Sequence, residues 1–224
     1  MRMNDWFPMD EVQSQVQIEY ILRLLGEQPK TVIDIGCGDG RVLVPLASAG
    51  HQLTGIDIDE HAIEACSAQC RTQSLEPTLL LGDVMDVLPL PEPVDPIVCS
   101  GQTFMLFSDV SDAVHLLKLC KQSLVHGGIL IMDDIPGDLW PEVAQGGWAN
   151  GVNEEGTMQF VWAEDDAVFT IREGVQVDES DWDLRDDEIT MRLWTAGALK
   201  LAAELADLSA PTVPVAGAVL VMRA

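Results

Sequence analysis

One stretch constrains this chain more than any other: the apolar run Thr31-Val32-Ile33-Asp34-Ile35 enters Gly36-Cys37-Gly38-Asp39-Gly40 and leaves as a helical segment over about 41–49, closed by Gly50. A strand that turns this abruptly into a helix needs residues without a Cβ that tolerate positive φ, and every second position of the turn is glycine. The rhythm recurs downstream. Residues 52–56 read as a second strand with Asp57 at its end, and Asp59 can cap a helix that points Ile63, Cys66 and Cys70 inward. Residues 78–81 form a third strand running into Gly82-Asp83. Four prolines, at 89, 91, 93 and 96, then carry the chain over the surface to a short fourth strand, Ile97-Val98-Cys99, which ends in Ser100-Gly101. Asp109 can cap the next helix, striped by Val110, Val114, Leu117 and the run 121–124, and Gly127-Gly128 turns the chain into a fifth strand over 129–132.

Strands alternating with helices at this spacing require right-handed crossovers, and hence a parallel sheet with helices on both faces. Ahead of this unit, Ile18, Ile21, Leu22 and Leu25 mark an N-terminal helix that stops at Gly26. After Asp134 the rhythm changes. Residues 157–162 and 167–173, separated by Glu164-Asp165-Asp166, read as an antiparallel hairpin that 189–194 can join. Thr195 can cap a last helix with Ala198, Leu201, Ala202 and Leu205 inward, and 218–222 form a closing strand. Residues 209–214 are too short for a clear partner to that strand. The expectation is one domain over 1–224, with a helical cap at 1–29 and a substrate-side insert at about 135–190.

Ligands of such sheets bind beyond the carboxyl ends of the strands. A dinucleotide fingerprint needs glycine at the sixth position of Gly36-Cys37-Gly38-Asp39-Gly40-Arg41, where Arg41 stands. A carboxylate at Asp34 repels phosphates but can hold an ammonium group. At the second strand's end, Asp57 can accept both hydroxyls of a ribose. Asp83 can accept from an exocyclic amine and leave the Val84 N–H for a ring nitrogen. Each aspartate alone is more simply a turn former or helix cap. Three at consecutive strand ends describe an adenosine that carries an amino acid.

The ordered set of residues 32–41, Gly55-Ile56-Asp57-Ile58-Asp59, Gly82-Asp83 and Gly127-Gly128 resembles the class I S-adenosylmethionine-dependent methyltransferases, over roughly residues 15–134. Gln102-Thr103-Phe104 resembles their small-molecule and uncharacterised bacterial branch. The resemblance implies a Rossmann-like, doubly wound, mostly parallel sheet with an antiparallel insert after the fifth strand. It implies S-adenosyl-L-methionine as cofactor, with Asp34, Gly36 and Gly38 at the methionine part, Asp57 at the ribose, Asp83 and Val84 at the adenine, and Cys37 and Ile58 also among the cofactor-binding residues. Ser100 and Gln102 match the segment beneath the methionine moiety. His126 stands where the family usually has proline, and Pro96 shortens a strand that lies centrally in the family.

The implied reaction is methyl transfer to a small-molecule nitrogen or oxygen acceptor, in which alignment and desolvation carry much of the acceleration and a base is optional. Asp133 and Asp134, after the fifth strand, are placed to serve as that base, or are loop residues. Trp6, Tyr20, Trp140 and Trp148 are candidates for the acceptor side, against the alternative that such aromatics only pack. Two other readings stay open: aminopropyl transfer from decarboxylated S-adenosylmethionine, and a non-catalytic cofactor-binding module.

Composition narrows the partners. With 37 acidic against 12 basic side chains and a formal charge of -25, the surface repels a polyanion, so nucleic acid is disfavoured. The acidic run of Asp178, Glu179, Asp181, Asp183, Asp186, Asp187 and Glu188 reads as a solvated loop. Nothing approaches the roughly twenty apolar residues of a membrane span or the apolar core of a signal peptide, which points to a cytoplasmic protein. Five scattered cysteines without CxxC spacing read as reduced, packed thiols rather than metal ligands.

Overall fold

A computed structural model describes residues 11–224. Its chain order is α1 (Glu11–Leu25), β1 (Thr31–Ile35), α2 (Leu43–Ser48), β2 (Gln52–Asp57), α3 (Glu60–Thr72), β3 (Thr78–Leu81), α4 (Val84–Val87), β4 (Ile97–Cys99), α5 (Val110–Ser123) and β5 (Ile129–Met132). There follow α6 (Ile135–Asp138), α7 (Trp140–Ala144), β6 (Gly151–Val152), β7 (Met158–Trp162), β8 (Val168–Glu173), β9 (Met191–Arg192), α8 (Ala196–Leu205), β10 (Thr212–Val215) and β11 (Val219–Arg223).

Seven strands make one sheet in the order β10-β11-β5-β4-β1-β2-β3. From β5 to β3 the strands are parallel, whereas β11 runs antiparallel to both β5 and β10. Alternation along each strand decides which face a residue serves. Ile33, Ile35, Ile56, Ile97 and Leu130 join one apolar cluster with α5 and α8. Val32, Leu53, Val98, Ile129 and Ile131 join another with α1, α2 and α3. Both faces are thus covered, which is why the central strands read as continuous apolar runs.

The second sheet, β6-β7-β8-β9, is antiparallel and lies wholly after β5. This is the Rossmann-like α/β fold with its insert. Expected strand 189–194 contributes only β9, paired at Phe169 to Met191 and Val168 to Arg192. Residues 209–214 do yield a partner for the closing strand: β10 pairs with β11 through an irregularity between Thr212 and Val215, where Pro214 is accommodated at the sheet edge.

The face of α8 differs from expectation. Leu199, Ala202, Ala203 and Ala206 are buried, while Leu201 and Leu205 are 58% and 53% exposed. The inward stripe begins one position later than Ala198, because alanines at 202, 203 and 206 let the helix approach α5 closely and leave the leucines outside. None of the described helices is long and apolar enough to cross a membrane. All five cysteines are buried thiols.

Candidate functional site

At the carboxyl ends of β1, β2 and β3 the glycine turn opens a cavity of about 620 Å³. The turn is tied to the neighbouring strand, since the N–H groups of Gly36 and Cys37 both donate to the Ile56 carbonyl, at 2.8 and 3.1 Å. Gly36 has φ +67°, and a Cβ there would sit 2.4 Å from Thr103 Oγ1, so the close approach of the two loops requires glycine.

Asp34, Asp57 and Asp83 all line this cavity, and their surroundings differ. Asp34 is 2% exposed, and its Oδ2 has no hydrogen-bond partner. Burial pushes its carboxyl up to about 7, with the Arg41 guanidinium acting in the opposite direction. Asp57 is half-buried; its Oδ2 accepts from the Gly38 N–H at 2.8 Å and its Oδ1 from the Asp59 N–H at 2.9 Å. Exposed Asp83 caps α4 by accepting from the Met85 N–H at 2.8 Å. Val84 opens α4, so its amide is among those a helix cannot satisfy internally.

Cys37, Gly38, Ile58, Val84 and Ser100 line the same cavity. Ile58 is 72% exposed, an apolar side chain presented at the opening rather than packed beneath it. Cys37 is buried, and its hydrogen bond to Cys66 together with burial pushes its thiol up. Gln102 takes a left-handed conformation, and its N–H donates to Asp133 Oδ2 at 2.6 Å; its neighbours Gly101 and Thr103, not Gln102 itself, line the cavity.

Asp133 and Asp134 do not line it. Asp133 is buried, which pushes its carboxyl up, and also accepts from Gln17 Nε2 at 2.6 Å. Asp134 caps α6 and accepts from the Gly217 N–H at 2.9 Å, tying β5 to the C-terminal hairpin.

The aromatic candidates among the described residues do not line this cavity. Trp6 falls outside the described residues. Tyr20 is half-buried on α1, with the Arg23 guanidinium 5.8 Å from its ring centre. Trp140 is 48% exposed at the start of α7. Trp148 is buried in the insert, 5.6 Å from the Phe169 ring and 5.8 Å from Phe160, and its Nε1 donates to Glu142 Oε2.

Among the lining residues without a binding role in the sequence reading are Arg41, Leu106, Phe107 and Ile189. Arg41 entered there as an exclusion of the dinucleotide turn and as the last residue of the methyltransferase-like motif. Ile189 has no local signal at all, because distant contacts place it. Its carbonyl accepts from Thr170 Oγ1 at 3.0 Å, and Thr190 pairs with Ser108 at 2.8 Å. The acidic run before it is not simply a solvated loop. Arg172, 1% exposed on β8, donates Nε to Glu188 Oε1 and both terminal nitrogens to the Asp181 and Asp183 carbonyls at 2.6 Å, drawing the run across the insert sheet.

Comparison with known proteins bears on this geometry. The family described as a methyltransferase domain matches residues 32–128, from β1 to the turn before β5. The ubiquinone biosynthesis O-methyltransferase of Coxiella burnetii (strain Dugway 5J108-111) is 28% identical over 120 residues, 54% of this chain and 50% of the relative. The chain thus spans about half the length of the curated relatives it matches. Among solved structures, an S-adenosylmethionine-dependent methyltransferase from Clostridium acetobutylicum ATCC 824 superposes with a TM-score of 0.70 at 15% identity, covering 96% of this chain and 92% of its own. The magnesium protoporphyrin IX methyltransferase from Synechocystis PCC 6803, solved with bound SAH, gives 0.61 at 15% identity over 99% and 91%. The β1 to β5 unit that builds the cavity thus matches a methyltransferase domain, and the chain shares the fold of S-adenosylmethionine-dependent methyltransferases of known structure.

Proposed function

We propose that this chain transfers a methyl group from S-adenosylmethionine to the nitrogen or oxygen of a small molecule. The observation that carries the reading is the buried Asp34 Oδ2: a carboxylate oxygen facing a cavity without a partner is costly unless a ligand donor completes it. Asp57 and Asp83 at the neighbouring strand ends fit the rest of the same ligand. When bound, S-adenosylmethionine supplies an electrophilic methyl carbon on a sulfonium and leaves as a neutral thioether.

The chain's own groups then have these parts. Asp34 holds the ammonium, beside the backbone of Gly36, Cys37 and Gly38. Asp57, whose oxygens each keep accepting capacity after one backbone bond, takes the ribose hydroxyls. Asp83 accepts from the exocyclic amine, the Val84 N–H serves a ring nitrogen, and Ile58 packs on the base. Ser100 and Gln102 flank the methionine part, and Asp133 holds the Gln102 amide in place. Asp134 anchors the hairpin rather than moving a proton. Leu106, Phe107 and Ile189 form an apolar mouth that excludes water where the acceptor enters.

Calorimetric titration with S-adenosylhomocysteine and with NAD tests the cofactor, and binding of NAD alone sinks the reading. Transfer of labelled methyl from S-adenosylmethionine into an extract of small metabolites then identifies the acceptor. Tight cofactor binding with no labelled product would favour a non-catalytic module.

A further inference from the structure

Three of the five cysteines meet at the glycine turn. Cys37 sits in the turn itself, and Cys66 and Cys70 lie one helical turn apart on α3, forming with it a hydrogen-bonded chain of thiols. Two glycines clear room for the sulfurs. A Cβ at Gly40 would stand 2.9 Å from Cys66 Sγ, and one at Gly55 would stand 2.8 Å from Cys37 Sγ. Gly40 belongs to the same turn as Cys37, since its N–H donates to the Cys37 carbonyl at 3.0 Å. Cys66 Sγ is therefore seated against the backbone that carries Cys37. Both residues are buried, at 5% and 0% exposure, yet Cys37 lines the cavity and Cys66 does not. The roles assigned above use the backbone of Cys37 and leave both sulfurs idle.

We propose that Cys37 and Cys66 are a modification site, which a hydroperoxide entering by the cavity joins as a disulfide. Cys37 meets the oxidant first because its side of the pair lines the cavity. Its sulfur takes one oxygen as the O–O bond breaks and water leaves, and becomes a sulfenic acid. The Cys66 sulfur then attacks: the S–S bond forms, the S–O bond breaks, and the hydroxyl departs with the Cys66 proton as a second water. Two thiols together give up two electrons, and one peroxide is reduced to two waters. Hydrogen bonds from Cys37 and Cys70 hold the Cys66 thiol below its ordinary range, which suits it to the attacking part. An S–S bond of about 2 Å is shorter than any contact between separate thiols, so it draws the turn toward α3. The adjacent Gly38 N–H donates to Asp57 Oδ2 at 2.8 Å, which passes the shift to the ligand-holding carboxylate. Resting on the cofactor reading above, oxidation and cofactor binding then oppose each other.

The test treats the reduced chain with hydrogen peroxide, counts free thiols and maps tryptic peptides with and without reductant. Two of the five thiols should disappear, and peptides 31–41 and 42–71, which trypsin releases separately, should be joined until reductant is added. Cys66→Ala should abolish the link and Cys70→Ala should retain it, with Cys66→Ser repeating the first control if the alanine variant fails to fold. The oxidised chain should bind S-adenosylhomocysteine roughly ten-fold more weakly, the worth of one charge-assisted hydrogen bond, and Cys66→Ala given the same treatment should not. S-adenosylhomocysteine at about a hundred times its dissociation constant should slow the link roughly a hundred-fold, as the unliganded share falls. Five thiols surviving excess peroxide, a bond confined to 42–71, a link that persists without Cys66, or Cys37 advancing to a sulfinic acid unlinked overturns the proposal. A linked chain with unchanged affinity overturns the opposition between oxidation and ligand. A chain that links but binds no S-adenosylhomocysteine even when reduced upholds the modification site and removes the cofactor reading instead.

Discussion

Around the insert sheet acidic side chains meet arginines: Glu188 and Asp181 flank Arg172, and Asp166 pairs with Arg192. At the ends of β1 to β3 they meet backbone amides or, at Asp34 Oδ2, nothing. A net charge of -25 conceals this division. An acid whose charge is answered inside the chain helps to build structure, whereas one held by neutral donors at a cavity keeps its charge available for a ligand.

The contrast can be broken most forcefully at Arg172. Arg172→Met strands the carbonyls of Asp181 and Asp183 beside an apolar side chain and leaves Glu188 only its contacts with Arg185, and should cost about 3 kcal/mol in urea unfolding, as expected when a buried pair loses one partner. A loss below about 1 kcal/mol would show that the insert's acids are not structural. At the other site, Asp57→Ala should weaken S-adenosylhomocysteine binding by roughly a hundred-fold, the worth of two charge-assisted hydrogen bonds. Unchanged affinity would remove Asp57 from the binding set.

Asp34 sharpens the comparison through pH. Burial raises its carboxyl from 3.8 to about 7, so the free protein holds this proton between those values. The group's contribution to stability is fully present below the unfolded pKa and is lost as pH rises through the folded one. An ammonium ligand needs the ionised form. Affinity for S-adenosylhomocysteine should therefore rise about ten-fold per pH unit up to about 7 and then level off. Asp34→Asn should flatten that slope; a slope that persists in the variant assigns the proton elsewhere. The smallest effect belongs to Asp166→Ala, whose partly exposed pair with Arg192 should be worth under about 1 kcal/mol by thermal unfolding.

These two regions also differ in how much could be read from the residues alone. The parallel sheet was legible because each strand is a short apolar run closed by Gly or Asp, and those closing aspartates face one cavity once the strands align, as in the register of Asp57 to Leu81. The insert was less so. Residues 157–173 alternate clearly, yet the acidic run is organised by Arg185 within it and by Arg172, which precedes it in the chain and gives no local sign of its partners. The face of α8 was misjudged because an alanine-rich helix presents two stripes of similar polarity, and only contact with α5 decides between them. The burial of Asp133 and Asp134 after β5 had no local sign, because their partners, Gln17 and Gly217, are remote in sequence.

The place of β11 has a consequence for how the chain reaches this state. It lies between β5 and β10, pairing Leu220 with Met132. Until it arrives, β5 presents an unpaired apolar edge while the whole insert and α8 must collapse elsewhere. Such a non-local pairing is expected to slow folding and leaves that edge open to other chains meanwhile. Substitutions that weaken β11 should therefore show first as aggregation during refolding, before any change in the equilibrium properties of the finished cavity.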